Sequence, residues 1–116
     1  MARYFTLVFM GTLRSNINVK ALGLHWRDGR LLASEVYDSQ GHVAGVRPLG
    51  GTVEFGETSE MTLKREFIEE LGMKVEPLSG PLIIENIYTF EGEEGHEIIF
   101  VFEIHFVPTS TCVMKR

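Results

Sequence analysis

Three glutamates, Glu66, Glu69 and Glu70, stand at spacings that let one cation meet all of them. If the stretch around them is helical, Glu66 and Glu69 form an i,i+3 pair and Glu66 and Glu70 an i,i+4 pair, so the three share one face. At about 100° of turn per residue, Glu70 lies near 40° and Glu69 near 300° from Glu66. Like charges so placed destabilise a helix by about a few tenths of a kcal/mol per pair. A divalent cation reverses the sign of that interaction. Carboxylate oxygens without cysteine or paired histidine favour Mg²⁺, with Mn²⁺ the alternative, over zinc. A solvated acidic helix face is the plain competing explanation. Three neighbours weigh against it: Gly50-Gly51 a short loop upstream, Glu57 just before the helix, and Arg65 beside Glu66. A solvated face needs none of them.

The elements that must position these groups follow from pattern. Ser59 to Leu71 is predicted to be a helix, capped by Thr58 or Ser59, with Glu60 at the positive end of its dipole and Gly72 to end it. Its apolar residues, Met61, Leu63, Phe67, Ile68 and Leu71, fall on an arc away from Glu66, so one face meets a core while the carboxylates point elsewhere. Upstream, residues 18–26 and 30–37 read as strands joined at Arg27-Asp28-Gly29, a strong hairpin signal. Residues 42–49 read as a short strand, with Pro48 marking its edge or exit. Gly50-Gly51 then frees the chain to turn sharply. Downstream, residues 77–81 read as a turn and 82–90 as a strand. Residues 91–95 (EGEEG) read as an acidic hairpin loop, and 97–107 as the longest strand. That strand is apolar on both faces, which predicts a central place in the sheet.

Composition bounds the rest. The 116 residues fit one small α/β domain with a real core, at 44% hydrophobic and 23% charged. A net charge of −5, from 11 basic and 16 acidic residues, leaves no basic footprint for a DNA duplex. The single cysteine, Cys112, cannot close an internal disulfide, so the cytoplasm is the expected compartment. No apolar run reaches a membrane span, and no membrane partner is expected. The short apolar run 4–10 is read as a strand or an arm, not as a leader.

Residues 51–73 carry a resemblance. Gly51, Glu57, Arg65, Glu66, Phe67, Glu69, Glu70, Gly72 and Met73 match the Nudix box: Gly, five residues, Glu, seven residues, then Arg-Glu-apolar-any-Glu-Glu-any-Gly-apolar. All seven invariant-type positions are filled, a match expected by chance on the order of once in 10⁹ start positions. Phe67 and Met73 stand where aliphatic residues are usual. The order of elements from about 17 to 107, with the RPLGG lead-in at 47–51, also resembles a Nudix domain.

The resemblance implies a Nudix-like α/β/α sandwich with a mixed sheet, spanning 17–116 after an N-terminal arm, 1–16. It implies hydrolysis of a diphosphate linkage in a nucleoside diphosphate derivative, by water with Mg²⁺. By similarity Glu66, Glu69 and Glu70 would ligate the metal, joined by a backbone carbonyl of Gly50 or Gly51. Glu57 would contribute through water or through Arg65, which looks like an orienting partner. Glu66 is the first candidate for general base and Glu69 the second. Arg47, just before the glycines, is a candidate substrate contact, with a strand-edge charge as its plain alternative.

The chain departs from the pattern after Pro108. No Asp or Glu follows, and the last strand and C-terminal helix usual in the family are not apparent. An auxiliary carboxylate would therefore come from earlier or be absent. Glu97 is a candidate that reads equally as a solvated strand end, and Glu103, among apolar neighbours, is a candidate for a buried one. Exposed sheet surface would invite a homodimer. His25, His42, His96 and His105 show no ligand spacing, and Trp26 and Tyr88 could stack on a base or simply pack. A non-catalytic nucleotide-binding module and an inactive, C-terminally truncated form are the competing functions.

Overall fold

The computed structural model describes residues 16–108. The expected arm at 1–16, except its last residue, lies outside the described residues, as does the tail with Cys112. In chain order the elements are β1 (Asn18–Leu24), β2 (Trp26–Arg27), β3 (Arg30–Leu31), β4 (Ala33–Tyr37), β5 (Val43–Thr52), α1 (Ser59–Leu71), β6 (Val75–Pro77), β7 (Leu82–Phe90) and β8 (Glu93–Phe106). Six strands form one mixed sheet in the order β4-β5-β1-β8-β6, with β7 also paired to β8. The β1–β8 pair is parallel, Ala21 opposite Phe100 and Gly23 opposite Phe102; the other pairs are antiparallel. β8 is central, as its two apolar faces predict, flanked by β1 on one side and by β7 and β6 on the other.

Turn chemistry places the hairpins. Asp28 and Gly29 both have positive φ, 52° and 77°, and close the tight β2–β3 turn. Glu91 and Gly92, at 53° and 80°, do the same between β7 and β8. The acidic loop expected over 91–95 is therefore a two-residue turn, and Glu93 to Gly95 pair with Phe90 to Tyr88 inside the hairpin. β5 also differs from expectation. It runs through Pro48 and both glycines to Thr52, because Gly50 and Gly51 pair with Leu22 and Ala21 of β1. The glycines are thus a site of close strand approach within the sheet. At Gly50, φ is 152°, and a Cβ there would collide with the Ala21 carbonyl and stand 2.8 Å from Leu22 Cα.

α1 lies on one face of the sheet, as predicted, and among the described residues no second helix covers the other. Thr58 is its N-cap, its Oγ1 accepting from the Met61 N–H at 3.1 Å. Gly72, at φ 68°, ends it and donates to the Ile68 carbonyl at 2.9 Å. The core is Ala21, Leu49, Leu63, Phe67, Val75, Phe102 and Ile104. Gly23 makes room for the helix: a Cβ there would be 2.9 Å from the Phe67 ring. The buried stripe of α1 is narrower than the apolar arc. Leu63 and Phe67 are buried with Thr62, whereas Met61, Ile68 and Leu71 are 52, 49 and 41% exposed. One helix on one flat sheet meets it along a single line, so the flanks of the arc stay wet. β7 is an exposed edge, with Leu82, Ile83 and Ile87 all more than half accessible. Among the described residues no helix is long and apolar enough to cross a membrane.

Candidate active site

The site lies where α1 crosses the end of β5. Leu63 and Phe67 anchor the helix on the sheet, and that anchoring turns Arg65 and Glu66 toward the strand end at Gly51 and Thr52. Glu66 rests against Gly51 itself. A Cβ at Gly51 would fall inside the Glu66 carboxylate, with even its farther oxygen only 2.8 Å away. The glycine is therefore what lets the carboxylate sit on the backbone.

Arg65 organises the charges. Its Nε donates to Glu57 Oε2 at 2.7 Å and its Nη2 to Glu57 Oε1 at 2.9 Å, a bidentate pair. Nη2 also reaches the Thr52 carbonyl at 3.2 Å. Nη1 donates to Glu66 Oε2 at 3.0 Å and, more weakly, to both oxygens of Glu69 at 3.4 Å. These carboxylates push the guanidinium pKa further up, its hydrogen bonds to Glu57 first. Glu57 in turn accepts from Thr62 Oγ1 at 2.7 Å and from the Glu54 N–H at 3.2 Å. The hydrogen bonds of Arg65, then that of Thr62, hold its carboxyl down to about 2. Pattern reading singled out neither Thr62 nor Glu54. The available signal was a short hydroxyl side chain between Glu66 and Glu69 on the wheel, five positions after Glu57.

Glu70 behaves oppositely. Although Glu70 lies on the exposed side of α1, partial desolvation pushes its carboxyl pKa up, and the charges of Glu66 and Glu69 add to the shift. The three carboxylates stand at i, i+3 and i+4 on one face of α1. Their hard oxygens suit Mg²⁺ or Mn²⁺. Among the described residues, however, no three acidic, histidine or cysteine side chains form a ready cation cluster. Arg65 engages Glu66 and Glu69 on one side. Glu57 has both oxygens taken by Arg65, Thr62 and Glu54.

The NUDIX domain model matches residues 16–111. The chain belongs to the NUDIX family. Among solved structures it is similar to a MutT NUDIX hydrolase from Burkholderia pseudomallei, at 26% identity and TM-score 0.62, covering 80% of this chain and 70% of that one. It also shares its fold with the E. coli ORF135 protein, at 22% identity and TM-score 0.58, covering 81% of this chain and 65% of that one. A NUDIX hydrolase from Nitrosomonas europaea has the same fold, at 23% identity and TM-score 0.54, covering 81% and 64%. The chain spans about two thirds of the length of these structures. A comparison with curated proteins found no match.

The remaining candidates of this NUDIX domain fall elsewhere. Glu103 is exposed, not buried, because Phe102 and Ile104 take the core side of β8. Glu97 is the reverse. It is 4% exposed, not a solvated strand end, and lies 3.9 Å from Arg47 Nη2. The four histidines stay scattered: His25 packs edge-on against Phe106, and His42 lies beside Asp38.

Proposed function

We propose that this NUDIX domain hydrolyses a diphosphate linkage in a nucleoside diphosphate derivative, using water and Mg²⁺, with Mn²⁺ as the alternative ion. One observation carries the reading: α1 sets Glu66, Glu69 and Glu70 at i, i+3 and i+4 on one face, with Glu66 seated on the Gly51 backbone. Such a face repels an anionic diphosphate on its own. A bound divalent cation supplies the neutralising charge and makes water more acidic.

The residues then divide the work. Glu66, Glu69 and Glu70 would hold the cation, with a backbone carbonyl of Gly50 or Gly51. Glu66 is the first candidate to take a proton from the attacking water, and Glu69 the second. As that proton leaves, the water oxygen bonds to phosphorus, the bridging P–O bond breaks, and the departing phosphate carries the electron pair. Arg65 is a positioning residue. Its donation to Glu66 and Glu69 fixes their direction, and its bidentate grip on Glu57 fixes Arg65 itself. Glu57 acts through Arg65, since both its oxygens are engaged. Arg47, in the same strand as Gly50 and Gly51, is the proposed substrate contact.

A panel of nucleoside diphosphate derivatives incubated with Mg²⁺, read by product mass, tests this. Cleavage at a diphosphate linkage, lost on chelation, supports the reading. Nucleotide binding with no product at any metal concentration overturns it in favour of a binding module.

A further inference from the structure

Glu97 is a buried carboxylate that the hydrolytic machinery does not use. Burying a charge is costly unless it is paired and hydrogen-bonded. Here the pairing is incomplete. Among the described residues its charged neighbour is Arg47, at 3.9 Å, which is beyond hydrogen-bond length. Both side chains line a cavity of about 350 Å³ on the sheet. Leu22 and Ile99 give it apolar lining, and Tyr88 and Phe90 also line it. The volume is at the small end for ligand sites, the scale of one ring system. Trp26, the other aromatic candidate, does not line it.

The polar groups define what fits. A guanidinium offers donors only, and a carboxylate offers two adjacent acceptors. Side by side they match a planar edge with one acceptor followed by two N–H donors. Guanine has that edge: O6, then N1–H, then the N2 amino group. Adenine and cytosine each offer one donor position there, and uracil one N–H between two carbonyls. The aromatic rings can stack on any base, so they add affinity without choice. Arg47 lies three residues before Gly50 in β5, about 10 Å along the strand.

We propose that Glu97 and Arg47 read the base, and that this chain prefers guanine nucleotides, Glu97 accepting from N1–H and N2–H and Arg47 donating to O6. For its substrate class this rests on the diphosphate hydrolase reading above. It makes the proposed substrate contact of Arg47 a contact with the base.

Binding of guanosine, inosine, adenosine and cytidine 5′-monophosphates, which have no diphosphate linkage to cleave, separates the two ideas. Calorimetry of the wild-type chain is expected to rank guanosine first, about tenfold over inosine, which lacks the N2 amino group, and about a hundredfold over the others. E97Q is expected to cut guanosine affinity about tenfold or more and to leave adenosine within about twofold, so that the preference collapses. Equal binding of the four bases by the wild-type chain overturns the proposal even if E97Q fails to fold, and so does an unchanged preference in a folded E97Q. Guanine-selective binding without any diphosphate cleavage in the panel supports this inference and overturns the hydrolase reading alone.

Discussion

Replacing Gly51 by alanine separates the site from the fold, and Gly50→Ala is its control. Gly51 lies outside the positive-φ range that excludes side chains, so alanine adopts its backbone freely. What its Cβ meets is the Glu66 carboxylate, whose farther oxygen is 2.8 Å away. Ordinary contact needs about 3.5 Å or more, so the carboxylate must retreat on the order of 1 Å. It is the end of a flexible side chain and can do so at little cost in stability. A misplacement of about 1 Å in a reacting group costs about 10²-fold in rate. Gly50 differs on both counts. Its φ of 152° strains any other residue, by about 1–3 kcal/mol. Its Cβ would meet the Ala21 carbonyl and Leu22 Cα, backbone atoms of a paired strand, adding about 1–3 kcal/mol. Gly51→Ala is thus expected to keep a near wild-type melting temperature and lose about 10²-fold in diphosphate cleavage. Gly50→Ala is expected to melt roughly 10 °C lower or more. Thermal melts beside a turnover assay read both. Full turnover by Gly51→Ala, or a Gly51→Ala melt as low as that of Gly50→Ala, refutes the placement of Glu66 on the Gly51 backbone.

Other outcomes follow from single contacts. Leu63→Ala empties a fully buried position between α1 and the sheet and is expected to cost about 2–5 kcal/mol in urea unfolding. Thr58→Ala removes the N-cap of α1 and is expected to cost about 1 kcal/mol, with the same assay as check. Glu57 has its carboxyl held down to about 2 against an ordinary 4.5, so the folded state binds its proton later than the unfolded chain. Its contribution is full above pH about 4.5 and is lost as pH falls toward 2. A melting series over that window should fall more steeply for wild type than for Glu57→Gln. Glu70 has the opposite sign: its pKa is raised, so its ionised form opposes folding at neutral pH. Glu70→Gln is expected to melt at or above wild type in metal-free buffer at pH 7.

The box and its helix were legible in the chain because everything that defines them is local. Seven positions within residues 51–73, a capping threonine and a terminating glycine need no distant partner to be read. The hairpin at Asp28-Gly29 was legible for the same reason. What escaped depends on pairing across the chain. Pro48 and the two glycines signalled an exit, but β1 pairs with both glycines and keeps β5 extended to Thr52. The acidic run at 91–95 was legible as exposed, and its first four residues are, but not as strand, since β7 pairs with Glu93 to Gly95. Alternation along β8 divided its residues between two faces without showing which carboxylate would meet Arg47. That follows from the parallel β1–β8 pairing, which joins residues nearly eighty positions apart. The wheel of α1 likewise grouped five apolar residues, and a single sheet contact buried two of them.

The central claim is that the carboxylates of α1 hold the cation that serves diphosphate cleavage. The most direct measurement is the Mg²⁺-dependent rate of that cleavage by purified Glu66→Gln and Glu70→Gln, each shown by its melt to be folded. The account predicts that both variants keep a cooperative transition and lose cleavage. A folded variant of either kind that turns over at the wild-type rate contradicts it.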